Sequence, residues 1–176
     1  VSIRRDWFWQ DDNIDTLKSV DALMAIWYRS IGLGANLLLN VGPDRRGRID
    51  DDDLRRLREW RAVLRDRFRE PRTATVSRER DAYLAEFHAP VPFDHLELSE
   101  DIGSGQVVCP VVIDADGGQR IATVESVGMR RMVVVSGRTA RRLRIVPGDP
   151  AFRLAGVTAW KTGVERIPDP ATPLDY

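Results

Sequence analysis

Cysteine, histidine and lysine are nearly missing from this 176-residue chain, and each scarcity closes off a class of chemistry. Cys109 is the single cysteine, which excludes an internal disulfide and a cysteine-rich metal site. His88 and His95 are the only histidines, too few for a histidine-based zinc site. Lys18 and Lys161 are the only lysines, so almost all positive charge is arginine, a bias of composition before it is a clue to function. Neither sign of charge dominates: 27 basic and 27 acidic residues give a formal net charge of zero, where a general nucleic-acid binder would carry a basic excess. No apolar run reaches the ~18 residues needed to span a membrane. The chain opens on Val1 with no basic leader and apolar stretch, so the true N-terminus, and any secretion signal, is expected upstream. What is present is an ordinary hydrophobic fraction of 43%, enough to build a core.

Three patterns follow one another. From Asp15 to Ile31, Leu17, Val20, Leu23, Met24, Trp27, Tyr28 and Ile31 recur at helical spacing, and Gly32 and Gly34 close that helix. Leu37-Leu38-Leu39, bounded by Asn36, Asn40, Gly42 and Pro43, reads as a strand buried on both faces, as in a parallel sheet. Asp50 to Asp53 then suits a helix N-terminus, and Leu54, Leu57, Trp60, Val63, Leu64 and Phe68 line one side of a helix over 51–69. Helix, buried strand and helix make a fragment of a βα-repeat fold, assigned to residues 1–70. Pro71 and the polar stretch to Asp81 mark a boundary, and beyond it the period changes to two. Leu96 and Leu98, like Leu143 and Ile145, alternate with charged residues; 107–113 and 132–135 are β-branched runs, with glycines between them. Residues 71–176 therefore read as an antiparallel β-sandwich, ending in a proline-rich extended tail from Val164 to Tyr176.

Few residues offer chemistry. Asn40 follows the buried strand, on the side where functional groups collect in βα folds, or else caps the strand end and holds the loop. Trp7, Phe8 and Trp9 present three aromatics in a row; an aromatic face suits the apolar face of a pyranose, and equally suits a core. Asp50 to Asp53 fits a helix cap better than a metal site. His88 and His95 lack a paired carboxylate in the pattern and read as structural or surface residues. Cys109, inside an apolar run, reads as a small buried residue. Glu100-Asp101 beside Gly103 reads as a strand-end turn. No phosphate loop, CxxC or Ser-His-Asp signal is present, so no cofactor is expected.

Four segments in order carry a family resemblance. Val1-Ser2-Ile3-Arg4 with Trp7-Phe8-Trp9 resembles the "VSIRPGWF" stretch of bacterial α-L-fucosidases of glycoside hydrolase family 29. Gly34 to Gly47 is similar to the family's "GxNLLLNVGPDxxG" motif, the most specific signal in the chain. Phe93 to Ile102 with Gly105-Gln106 resembles "F..LVLQEDI..GQ", while Gly128-Met129-Arg130-Arg131 and 140–144 are similar to "GxKR" and "ARRVRL". The resemblance implies an α/β plus all-β architecture: the last βα unit of a (β/α)8-like barrel over 1–70, then a C-terminal antiparallel β-sandwich over 71–176. It implies release of terminal α-L-fucose with retention, which uses two carboxyl groups ~5–5.5 Å apart. Neither carboxyl maps onto this chain, so no catalytic residue is assigned and the chain alone is expected to be inactive.

An aromatic at the position of Trp7 lines the fucose pocket in relatives, and Arg4, Phe8 and Asn40 are further candidates for substrate binding. The implied partners are a fucosylated glycan and the missing N-terminal barrel portion, with no nucleic acid and no membrane; the compartment stays open. Two departures matter. Arg5-Asp6 stands where the family has Pro-Gly, so the loop before Trp7 takes its own path. The "LTDGDxxTYW" loop has no counterpart between Arg72 and Phe93, which leaves a calcium site or a galactose-binding-like role there without support. The alternative reading is a non-catalytic carbohydrate-binding or structural β-sandwich module.

An unpaired apolar strand invites aggregation. Residues 71–176 are therefore expected to fold as a separate soluble piece, and residues 1–70 are not. Thermal melts of the two pieces check this, and a cooperative melt from residues 1–70 alone counts against the assignment.

Overall fold

The computed structural model describes residues 1–164, 166 and 167, which divide into two compact units. One comprises Val1–Ile31 and Ala35–Asp66; the other comprises Gly32–Gly34 and Arg67–Arg166. The expected tail lies almost wholly outside the described residues.

The first unit is built on a short parallel pairing. Ser2 bridges Asn40 in parallel, with backbone bonds from Asn40 to Val1 (2.8 Å) and from Ile3 to Asn40 (2.9 Å). Parallel neighbours need a crossover between them, and here it contains helix α1 (Val20–Arg29). The helix is shorter than the 15–31 periodicity predicted. Ile14–Thr16 form a separate 3₁₀ turn, and Ser19 caps α1 by accepting a hydrogen bond from the Ala22 amide at 3.1 Å. Ser19 thus satisfies one of the free amides of the first turn and sets the start. Leu23, Met24, Ala25 and Tyr28 are its buried face. A turn at 44–48 leads to α2 (Asp51–Arg67). Asp50 caps it, taking the Asp52 amide at 2.9 Å, so the acidic run is a helix start.

Leu37 to Leu39 do not form the strand buried on both faces that their composition predicted. Leu38 is 78% exposed and its neighbours are half-buried. A parallel strand is covered on both sides only when further strands and helices flank it, and among the described residues of this unit only residues 1–3 pair with the segment. The apolar side of α2 is likewise only half-buried at Leu54, Leu57, Trp60, Val63 and Leu64.

The second unit is mostly antiparallel sheet. Among the described residues its seven strands are β1 (Arg72–Thr73), β2 (Thr75–Glu79), β3 (Ala82–Glu100), β4 (Val111–Ala115), β5 (Gln119–Val124), β6 (Arg131–Pro147) and β7 (Leu154–Trp160), six of them ordered β1-β7-β3-β6-β4-β5 and β2 pairing with β3 off that path. The predicted sandwich is therefore one continuous hydrogen-bonded sheet, not two separate ones. β6 runs along one edge of β3 throughout, while the other edge takes β2 along its first part and β7 along its last. Register breaks between Glu86 and Val91 and between Phe93 and His95 let these two long strands bend; Pro90, which has no amide to donate, falls in the first of them. The second break also changes the inward face. Tyr83, Ala85, Phe87, Val91 and Phe93 are buried before it, and Leu96 and Leu98 after it, a change of parity at the point where β6 runs from Arg138 to Val134 while β3 runs only from Phe93 to His95. Of the apolar run 107–113, only the part from Val111 is strand. The Val107 amide goes to the Glu100 carboxylate at 2.6 Å, and Cys109 is buried in the core.

Asp94 and His95, both fully buried, sit at the break. His95 does have a paired carboxylate, contrary to the sequence reading: its Nδ1 lies 2.8 Å from Asp94 Oδ1. Pattern reading missed the pair because adjacent strand residues normally point to opposite faces. Asp94 also takes the Thr162 and Gly163 amides (both 2.8 Å), the Thr162 hydroxyl (2.9 Å) and Lys161 Nζ (3.0 Å), fastening the segment after β7. Phe68 meets His95 and Trp160 edge-on, at 5.9 and 5.6 Å between ring centres.

Burial pushes the Asp94 carboxyl up, but the bonds from Thr162, His95, Lys161 and Gly163 outweigh it and hold the group well below its ordinary 3.8. Burial lowers His95 below its ordinary 6.5 against the pull of Asp94. Both folded values are depressed, so both groups stabilise the fold fully above their unfolded values and lose that contribution as pH falls through the folded ones. The melting temperature should decline from about pH 6.5 downward and again below about pH 4. His95→Asn should remove the upper decline and Asp94→Asn should flatten the lower one. Melts of the three proteins across this range check it, and an unchanged upper slope in His95→Asn refutes the assignment.

Candidate functional site

The loop carrying Trp7, Phe8 and Trp9 is held by groups from three directions. Arg4, 4% exposed, is the first. Its Nε donates to Asp53 Oδ1 at 2.8 Å, its Nη1 to Asn13 Oδ1 at 2.8 Å, and its Nη2 lies 3.2 Å from Asp50 Oδ1. Breaking such a pair by removing one partner costs about 3–5 kcal/mol, because the other charge stays buried. Burial pushes the Asp53 carboxyl above its ordinary range, and the Arg4 hydrogen bond pulls it back. Asn13 extends the cluster, donating from Nδ2 to Asp6 at 3.2 Å.

Asn40 is the second holder. Its amide donates to the Trp7 carbonyl at 2.7 Å and to the Ser2 hydroxyl at 3.3 Å, so the loop-holding reading of this residue describes what the side chain does here. Gly42 is the third. A Cβ there would lie 2.7 Å from the Trp9 amide nitrogen and 3.3 Å from both the Phe8 carbonyl carbon and the Trp7 oxygen. Only glycine lets residues 41–43 approach the loop this closely. Beyond it, the turn at 44–48 closes on Asp44, which accepts the Arg46 and Arg48 amides at 2.8 and 3.2 Å. The hydrogen bond from the Arg46 guanidinium holds the Asp44 carboxyl below its ordinary range.

The clamped loop presents its aromatics unequally. Trp7 is 57% exposed and Phe8 75% exposed, whereas Trp9 is half-buried and donates its Nε1 to Asp50 at 3.1 Å. Two rigidly placed aromatic faces are thus open beside Asn40, while the Arg4 guanidinium is engaged by its own chain. Such an arrangement can stack on an apolar ligand face or pack against further protein. It supplies neither a nucleophile with a base beside it nor, among the described residues, a group of three or more potential metal ligands.

Sequence reasoning singled out Trp7, Phe8, Arg4 and Asn40, and the structure brings all four together. It missed Asn13 and Asp53. Asn13 sits in an Asp-Asp-Asn run that reads as an exposed loop, and nothing in the pattern marks it as buried. Asp53 carried a usable signal: it shares helical spacing with Leu57, Trp60 and Leu64, which puts it on the inward face and not among the solvated charges of the first turn.

Residues 1–66 match the family model described as Alpha-L-fucosidase. Alpha-L-fucosidase 1 of Arabidopsis thaliana is 38% identical over 60 residues, which are 34% of this chain and 12% of that protein. Among solved structures, a Bacteroides ovatus protein described as an α-L-fucosidase superposes with a TM-score of 0.79 at 27% identity, covering 94% of this chain and 30% of its own. A glycoside hydrolase 29 family member from a rumen bacterium gives 0.77 at 24% identity, with 99% of this chain and 34% of its own, a likeness of fold alone. The chain therefore spans about a third of the length of these structures, and its likeness reaches plant as well as bacterial proteins. Over residues 1–66 the sequence is thus similar to the α-L-fucosidases, and over more than nine-tenths of its length the chain shares the fold of solved structures that include an α-L-fucosidase and a glycoside hydrolase 29 family member.

Proposed function

We propose that this chain is the C-terminal region of a retaining α-L-fucosidase that removes terminal α-L-fucose from glycoconjugates. It closes the catalytic (β/α)8-like barrel and contributes one aromatic wall of the fucose pocket. The observation that carries this reading is the loop with Trp7 and Phe8, exposed yet clamped by Arg4, Asn40 and Gly42. An exposed aromatic held rigid on a backbone with no slack is suited to bind a pyranose, since little side-chain freedom remains to be lost on contact. The parallel pairing of residues 1–3 with 38–40 across α1, and the open face at Leu38, support a βα unit that continues into further barrel strands. The nucleophile and the acid/base belong to that further portion, and the 176 residues alone are inactive.

Within this reading Trp7 packs against the apolar side of fucose, including its methyl group. Phe8 extends the wall, Asn40 fixes the loop through the Trp7 carbonyl, and Arg4 positions the whole segment. In the complete enzyme, Trp7→Ala should lower kcat/KM about ten- to a hundredfold, corresponding to about 1–3 kcal/mol of lost apolar contact, with the melting temperature kept. Gly42→Ala, which retains every aromatic but displaces the loop backbone, should also lower kcat/KM. Trp9→Ala, which breaks the bond to Asp50, should act mainly on stability. Steady-state kinetics with an aryl α-L-fucoside and thermal melts decide. Unchanged kcat/KM in Trp7→Ala alongside lost stability refutes the pocket role.

A further inference from the structure

The second unit carries a cluster of arginines that its own carboxylates leave uncompensated. Several arginines of this unit are matched, Arg120 with Asp114, Arg130 with Glu97, Arg141 and Arg142 with Glu86, and Arg144 with Asp81, while Arg131 and Arg138 on β6 have no carboxylate partner among the described residues. Arg78, Arg80 and Arg153 have no carboxylate partner among the described residues. They are also not scattered. Arg78 Nη2 and Arg153 Nη1 donate to the same carbonyl, that of Pro150, at 3.2 and 2.7 Å, and Arg153 Nη1 reaches the Phe152 carbonyl at 2.9 Å. Two guanidinium groups sharing one carbonyl oxygen repel each other, and in an exposed position nothing in the fold requires them to meet.

The surroundings form a groove and not a flat surface. Arg78, Arg80, Tyr83, Pro147 and Pro150 line it, with Asp81, already paired to Arg144, at its margin. Tyr83 is a fixed floor: it is 5% exposed, its hydroxyl donates to the Phe152 carbonyl at 2.8 Å, and the Arg78 guanidinium lies over its ring at 5.6 Å. Stacking of this kind orients the planar fork of Arg78 and leaves its remaining N–H groups outward. Arg80 stands at the turn between β2 and β3 with φ +51, where glycine is the residue expected. A cation thus stands at a position where it strains the backbone.

We propose that this groove is a binding site for the anionic groups, sulfate ester or carboxylate, of an acidic polysaccharide. The oxyanion would bridge Arg78 and Arg153 through their unused N–H groups, with Arg80 closing from the turn, a fit of planar guanidinium forks to a multi-oxygen anion. The choice of a polysaccharide over an acidic peptide rests on the glycan-hydrolysing reading above. The anion site itself rests only on the groove.

The test is equilibrium binding of the whole chain to dextran sulfate, carboxymethyl-dextran and neutral dextran at low ionic strength. Both charged polymers should bind and the neutral one should not, with the tighter of the two identifying the natural group and added salt weakening both. The Arg78→Ala/Arg153→Ala variant should bind at least about tenfold more weakly. Arg61→Ala/Arg65→Ala, which removes equal charge from exposed positions on α2, should bind as the parent does. Arg80→Gly guards against a trivial loss of fold: it relaxes the positive φ, so its melting temperature should hold or rise while binding falls. Equal losses in both double variants, or unchanged binding in Arg78→Ala/Arg153→Ala and Arg80→Gly, overturn the site. Tighter binding of poly-glutamate through the same arginines overturns the polysaccharide. Binding is read without hydrolysis, so its failure leaves the Trp7 result standing, and the reverse.

Discussion

A guanidinium taken out of water has to be met by carboxylates, and the first unit is organised around that requirement at Arg4. Burying this charge is tolerable only because Asp53 and Asp50 arrive from the start of α2 and Asn13 from the loop that follows the aromatics. Each partner comes from a different stretch of chain, so the one side chain ties residues 1–9, the 3₁₀ region and the second helix together. The exposure of Trp7 and Phe8 follows from it. With Arg4 inward and Trp9 bonded to Asp50, the bend between them leaves Trp7 and Phe8 facing out.

The second unit answers a different constraint, that a long antiparallel ladder must bend to cover its own core. The bends fall where the ladder is not regular, around Pro90 on β3 and at the extra residues of β6 opposite Phe93 and His95. One of these breaks turns two consecutive residues, Asp94 and His95, inward. A buried carboxylate is costly unless it is saturated with donors, and Asp94 takes them from residues 161–163, so the bend also determines where the chain leaves β7. Glu100 repeats the device at the other end of β3, receiving the Val107 and Gly128 amides and holding two loops side by side.

Much of the local structure was legible in the sequence because it depends on neighbours along the chain. Helical spacing marked α1 and α2, alternation marked Leu96, Leu98, Leu143 and Ile145 as inward residues, and the aspartates before Leu54 marked a capped helix start. The errors are equally specific. The helix at 15–31 was drawn too long because periodicity continued through Leu17, while Ser19 ended it by bonding Ala22. The Leu37–Leu39 run reads as buried on both sides, but burial is a property of what lies across from a strand, and a run of leucines does not encode that.

By itself, then, the sequence determined element types, the change from helical to alternating period near Pro71, the motif that carries the fucosidase likeness, and the four residues gathered at the loop. Only the tertiary structure decided that Arg4 is inward and Trp7 and Phe8 outward, that Asp53, Asn13, Asp94 and Glu100 are buried polar anchors, and that Arg78 and Arg80 line one groove while Arg153 shares the Pro150 carbonyl with Arg78. The reason is physical. Periodicity reports the average polarity of a face, whereas the burial of a charge depends on whether distant residues bring partners within hydrogen-bond distance, and those contacts exist only once the chain has folded.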